Sequence, residues 1–431
     1  MDLETLGRGE ASDVPVYVQL HLEIFLRSWG NWTTSTTIQG AHLPLDKYFG
    51  SAIPNRFQYK AFTTMSSEKR AASSSFGSGQ IVKRQRSDNE LATRNGTTSN
   101  ALIQGSRTGS LHSPVMELTG HSGEVFAARF DLAGQHIASG SMDRDILLWR
   151  TSGDCENYGI LSGHKGAVLD LQWSRDSRVV YSASADMHLG SWDLETGQRI
   201  RKHPGHEEVI NCLDVSKRGE EYLISGSDDG YIGLWDPRQK AAIDFIETSF
   251  PVTAVAISEA GSELYSGGID NDIHVWDVRK KAVTFSLTGH NDTITSLAIS
   301  PDSQTLLSNS HDNTVRTWDI RPFAPKDRHI RTFDGAMTGM EKNLLKATWD
   351  TQGKRIAAGS GDRTAVVWEA SSGKMLHKLP GHKGAVNDVR FAPNDDPLCK
   401  SCDTRLVTSS ADNDLVLSAS TDRTLILGEL K

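Results

Sequence analysis

The chain has 431 residues, 23% of them charged, and a formal net charge of −8. That balance gives no global pull toward nucleic acid, no stretch reaches the ~20 apolar residues of a membrane-spanning helix, and none reads as a secretory leader. Cys155, Cys212, Cys399 and Cys402 are not spaced as a disulfide framework and suit a reducing compartment, so Asn-X-Thr at Asn31, Asn95 and Asn291 reads as incidental.

The N-terminal part is unlike the rest. Residues 1–64 hold one strand-like apolar stretch, Val14–Leu26, interrupted by Gln19, His21 and Glu23. Met65-Ser-Ser-Glu-Lys-Arg70 reads as the fresh start of a polar tail, which makes residues 1–64 an upstream extension of unknown status. Residues 65–112 are rich in Ser, Gly, Thr and Asn and are expected to be disordered. Within them, Lys83, Arg84 and Arg86 have the composition of a nuclear-import signal, and equally that of a solvated basic cluster.

From residue 113 onward a beat sets in. Trp149, Trp192, Trp235, Trp276, Trp318 and Trp368 each follow an Asp placed six residues earlier, and Gly-His recurs at His121, His164, His206, His290 and His382. The period of about 42 residues is the length of one four-stranded propeller blade. One unit shows why. Ala167–Trp173 alternates like a strand, Ser174–Ser177 is a turn, and Val179–Ser184, Leu189–Trp192 and Thr196–Lys202 supply three more strands. So small a sheet cannot bury both faces alone, and neighbouring units have to stack.

These motifs resemble the WD-repeat family over residues 113–431. The resemblance implies an all-β, seven-bladed propeller in which His, Ser, Asp and Trp of each blade are hydrogen-bonded in series. The complete sets are His121, Ser139, Asp143 and Trp149; His164, Ser182, Asp186 and Trp192; His206, Ser225, Asp229 and Trp235; His290, Ser308, Asp312 and Trp318. Three blades depart. The fourth keeps Ser266, Asp270 and Trp276 without Gly-His; the sixth keeps Asp362 and Trp368 but has Ala358 at the hydroxyl position; the seventh keeps His382, Ser418 and Asp422 but has Gly428 at the Trp position. The last unit ends after its third strand, so Val115–Leu118 is expected to supply the fourth and latch the ring.

No phosphate-binding loop, dinucleotide fingerprint or nucleophile elbow is present. Cys399-X-X-Cys402 stands without a second pair at zinc-like spacing and reads as a loop dithiol. Ser, His and Asp invite a catalytic-triad reading, yet catalysis needs one exposed constellation, and several copies with a Trp attached argue for structural hydrogen bonding. The expectation is therefore no catalytic residue, metal or cofactor, with Trp173 and Trp349 as further core.

Function then falls to the departures. One is the insertion 394–412; another is the segment between Asp319 and Ala347, where basic, aromatic and proline residues have the composition of a binding hot spot. Arg321, Phe323, Pro325, Lys326, Arg328, Glu341 and Lys342 are expected on one contact surface. Arg321-Pro-Phe-Ala-Pro-Lys326, Glu341-Lys-Asn-Leu-Leu345 and Gly153-Asp-Cys-Glu-Asn-Tyr158 are similar to the spliceosomal branch of the family, the WD-repeat subunits of the U5 small nuclear ribonucleoprotein. That resemblance implies a nuclear, non-catalytic scaffold for pre-mRNA splicing, a monomeric propeller docked on the large U5 protein with indirect or minor RNA contact. Residues 1–64 and 394–412 fall outside it. The alternative is an adaptor or substrate receptor of a ubiquitin ligase or chromatin complex.

Overall fold

The structure is a computed structural model and describes Leu111 and residues 113–325, 327–393 and 414–430. The expectations for residues 1–110, with Lys83, Arg84 and Arg86, and for the 394–412 insertion with Cys399 and Cys402, lie outside those residues.

Alternating β-branched and polar residues build seven four-stranded antiparallel sheets, and among the described residues every regular element is a strand. In the second blade the strands are Val168–Trp173, Val179–Ser184, His188–Asp193 and Arg199–Pro204. The last begins at Arg199 rather than at the expected Thr196. Thr196 is used in a turn instead: its hydroxyl donates to Asp193 Oδ2 at 2.8 Å, and Gly197 takes the left-handed conformation at φ 67°.

The first strand of each blade faces the axis, where Val125–Phe130, Val168–Trp173, Ile210–Val215 and their counterparts touch one another around the ring. Apolar clusters fill the spaces between consecutive blades. Leu148 and Leu161 of the first blade, for example, meet Leu171, Val180 and Trp192 of the second. Trp192, Trp235, Trp318 and Trp368 are among the largest fully buried side chains. At ~25 cal/mol per Å², each indole burying ~200 Å² contributes about 5 kcal/mol before conformational entropy is counted. Trp173 and Trp349, on inner strands, donate their indole N–H to Arg129 O and Ala298 O at 3.0 and 3.2 Å.

An axial cavity of about 750 Å³ runs between the inner strands. Ion pairs cross it. Lys346 Nζ, entering from the sixth blade, lies 2.5 Å from Asp170 Oδ1 and 3.1 Å from Leu169 O in the second. Arg129 reaches the same carboxylate at 3.4 Å. Burial alone would raise the Asp170 carboxyl, but Lys346 and Arg129 outweigh it and hold its pKa at about 2. Carboxylates also join neighbouring blades, since Asp170 Oδ2 accepts Leu213 N–H at 3.0 Å and Asp388 Oδ2 accepts Ala128 N–H at 3.1 Å.

Ring closure follows the expectation. Val115–Thr119 is the outermost strand of the seventh blade and pairs with Thr424–Leu430 from Val115↔Gly428 to Thr119↔Thr424. Leu118 is buried in the cluster with Leu425 and Leu427. Deleting Pro114–Leu118 is expected to lower the melting temperature by roughly 10 °C or more in a single cooperative transition. Differential scanning calorimetry checks this, and an unchanged transition would show that the latch carries no stability.

Candidate functional site

The repeated polar residues of each complete blade come together. His121 Nδ1 lies 2.9 Å from Asp143 Oδ2, its Nε2 lies 2.7 Å from Ser139 Oγ, and Trp149 Nε1 donates to that Oγ at 2.9 Å. The same three distances are 3.1, 2.7 and 2.8 Å for His164, Asp186, Ser182 and Trp192. They are 2.8, 2.7 and 2.8 Å for His206, Asp229, Ser225 and Trp235, and 2.9, 2.7 and 2.8 Å for His290, Asp312, Ser308 and Trp318. One proton assignment satisfies all members with a neutral histidine: indole N–H to hydroxyl, hydroxyl to Nε2, and Nδ1–H to carboxylate. Backbone closes the set, with Ser122 N–H and Asp145 N–H donating to Asp143 at 2.9 and 3.1 Å. Space is tight enough to require glycine beside it, since a Cβ on Gly190 would stand 2.7 Å from Trp192 Nε1 and 2.8 Å from Ser182 Oγ.

Ser–His–Asp connectivity is also that of a hydrolase triad. Here Ser139, Ser182, Ser225 and Ser308 are wholly buried, and each hydroxyl oxygen already holds an indole N–H. No substrate carbonyl can approach them, so their chemistry is the holding of strands. Electrostatics agree. Burial would raise the Asp143 carboxyl, yet the hydrogen bond from His121, with the two backbone donors, keeps it at about 2. Asp186 and Asp422 are held at about 2 by the same opposition of burial and donors.

The three departing blades meet the same demand differently. In the fourth, Trp276 donates to Ser266 Oγ at 2.7 Å, and His274 from the third strand replaces the missing histidine at Asp270, 2.6 Å from Oδ2. The hydrogen bond to Asp270 raises the His274 pKa. In the sixth, Ala358 leaves no hydroxyl, and Trp368 Nε1 donates instead to the Asp334 backbone carbonyl at 3.0 Å. Lys378 then neutralises Asp362 at 2.5 Å. The seventh keeps His382 at 3.0 Å from Asp422 and 2.8 Å from Ser418, with Gly428 at the Trp register.

The candidate contact residues are divided by geometry. Arg321, Phe323, Pro325 and Arg328 form the turn before the outer strand His329–Asp334 of the fifth blade, whereas Glu341 and Lys342 lie in the connection that follows it. Six strand residues span about 20 Å, so the six described residues of the set do not make one compact patch. Lys326 lies outside the described residues. Much of the turn's charge is internally used. Arg321 forks onto Asp319 with Nε at 2.9 and 3.1 Å from its two oxygens, and Arg328 donates to Asp319 O and Arg321 O while covering the Phe285 ring at 4.0 Å. What the turn presents is Phe323, fully exposed at 100%. Lys342 sits 3.6 Å from Asp292.

Sequence reasoning passed over Met337 and Met340, both exposed in the connection to the sixth blade. That connection is pinned rather than loose. Met337 N–H donates to Ser360 Oγ at 2.9 Å, Gly361 N–H to Met337 O at 2.6 Å, and Gly339 and Gly361 approach so closely that a Cβ on Gly361 would stand 2.1 Å from Gly339 N. Two methionines in a glycine-containing polar loop were the available signal.

Ser182→Ala strands Trp192 Nε1 and His164 Nε2, and is expected to reduce unfolding free energy by about 1–3 kcal/mol in a denaturant titration. Ala358→Ser is expected to give no matching gain, because Trp368 already has an acceptor. A depressed carboxylate pKa stabilises the fold above its unfolded value and loses that contribution as pH falls through the folded value. Wild type and Asp143→Asn are therefore expected to differ by about 1–2 kcal/mol at pH 5 and to converge only below about pH 2.

The family described as WD domain, G-beta repeat matches residues 112–150, 155–193, 197–236, 244–277, 281–319 and 373–427. The interval it omits, 320–372, contains the first three strands of the sixth blade, where the tetrad is rebuilt from backbone. The chain is 49% identical to Pre-mRNA-splicing factor cwf17 of Schizosaccharomyces pombe, over 84% of this chain and 99% of that protein. It is 43% identical to the U5 small nuclear ribonucleoprotein 40 kDa protein of Dictyostelium discoideum, over 82% and 96%, and 42% identical to that of Homo sapiens, over 81% and 96%. With its tetrads built as the repeats require and its similarity running through nearly the whole of these relatives, the chain belongs to the WD-repeat family that includes cwf17 and the U5 small nuclear ribonucleoprotein 40 kDa proteins.

Proposed function

We propose that the chain is a nuclear, non-catalytic scaffold of pre-mRNA splicing that binds the large protein of the U5 small nuclear ribonucleoprotein through its propeller surface. The observation that carries this reading is the 49% identity to a splicing factor across 99% of that factor's length. A rigid ring suits the task. Its faces and rim are ordered before any partner arrives, so binding loses little conformational entropy and several partners can be held together. Arg321, Phe323, Pro325, Lys326 and Arg328 form the first candidate contact, with Phe323 as the apolar anchor; Glu341 and Lys342, at the other end of the outer strand, form a second.

Affinity purification of the tagged chain from nuclear extract tests this, with mass spectrometry and probing for U5 RNA before and after ribonuclease. The large U5 protein is expected to remain bound after ribonuclease. Phe323→Ala is expected to reduce its recovery roughly fivefold or more while the melting curve stays unchanged. Recovery of cullin-type or histone-modifying subunits in place of U5 components would overturn the splicing assignment in favour of another adaptor role.

A further inference from the structure

We infer that the outer rim of the second to fifth blades is a docking strip for an extended acidic protein segment bearing aliphatic side chains. The chain as a whole carries −8, yet the turns before the third and fourth outer strands, 236–241 and 277–281, set Arg238, Lys240, Arg279, Lys280 and Lys281 against Asp236 and Asp277. Arg238 and Lys240 lie exposed in the turn before the outer strand Ala242–Glu247, and Arg279, Lys280 and Lys281 lie exposed before the outer strand Ala282–Leu287. Lys280 and Lys281 meet Asp277 and Asp244, whereas Arg238, Lys240 and Arg279 make no side-chain ion pair among the described residues.

The blades are joined along this edge, which makes the cations one strip. Arg201 Nη1 of the second blade donates to Pro237 O of the third at 2.9 Å, Lys281 of the fourth pairs with Asp244 of the third, and Arg328 of the fifth covers Phe285 of the fourth at 4.0 Å. Between the turns, the second residue of each of four consecutive outer strands is an exposed aliphatic: Ile200 at 46%, Ile243 at 58%, Val283 at 43% and Ile330 at 51%.

That alternation decides the chemistry of the occupant. Phosphates would match the cations, but single-stranded nucleic acid is held by base stacking as well, and the four residues between the turns are aliphatic rather than aromatic. A polypeptide carrying Asp or Glu among Leu, Ile or Val satisfies both elements, with charge steering the encounter and aliphatic contact dehydrating it. The strip holds for whatever complex the chain serves, so it stands or falls apart from the spliceosomal reading.

The test uses the full chain with the photo-crosslinking residue p-benzoylphenylalanine at position 243 or 283, irradiated in nuclear extract, and the adduct mapped by mass spectrometry. A peptide of the mapped segment is then titrated by fluorescence anisotropy. The expected adduct is a protein segment with excess Asp and Glu and interspersed aliphatics. Its affinity is expected to fall about tenfold or more for R238E/K240E/R279E and roughly fivefold for I243S/V283S, with melting curves unchanged. An adduct to RNA, an adduct to a segment without acidic excess, no adduct at either position, or unchanged affinity in either variant would each overturn the inference. Should the triple variant fail to fold, Arg279→Glu alone carries the same test.

Discussion

An indole N–H buried between two sheets must be given to an acceptor, because leaving it unpaired costs a large share of what burying the ring contributes. Much of this molecule follows from that requirement. A serine on the second strand takes the indole proton, a histidine from the preceding connection takes the serine's, and an aspartate in the next turn takes the histidine's. Four segments of a blade are thereby fixed by one chain of protons. The blades that lack a member show which link is indispensable. The fourth supplies its histidine from another strand, and the sixth replaces the hydroxyl by the Asp334 carbonyl, but in both the Trp proton finds an oxygen. Only the seventh, which has no Trp, leaves its serine without an indole.

Around the axis a second set of polar contacts works at longer range. Asp170 and Asp388 each accept an N–H from the following blade, and Lys346 joins blades on opposite sides of the cavity. Breaking one member would leave a buried charge uncompensated, so these groups bind the ring as a unit. A body held this way changes little on binding. Its surface can therefore specialise without disturbing the repeat, as in the turn that presents Phe323 and in the connection that carries Met340.

The tetrads were legible through the family resemblance, whereas the spacing itself recorded only the Asp six residues before each Trp and the recurring Gly-His. Val115–Thr119 was legible by subtraction, since the last unit lacked a strand. Other features left no such mark. His274 stands in for the absent Gly-His from a position four residues after Asp270, and a strand histidine carries no signature of that duty. Asp334 acts through its backbone, which every residue possesses. Lys346 and Asp170 are distant in the chain and meet only once the ring exists. The charge of Arg321 and Arg328 was plain in the sequence, but its use was not: both side chains bind their own turn, and the hot-spot composition partly reflects loop construction.

The latch also orders events in time. Val115 pairs with Gly428, so the first of the described strands to be synthesised receives its partner last, after about 300 more residues have been added. At ribosomal rates of about 5–20 residues per second, that interval lasts roughly 15–60 s. Bringing such distant ends together opposes folding by about 5 kcal/mol of loop entropy, less whatever the intervening blades have already restrained. Until then the chain is an open arc with apolar faces exposed at both ends, at one of them the side of the first blade that will meet the seventh. During those seconds the nascent protein is most open to aggregation, and a chaperone that covers those two ends would serve it best.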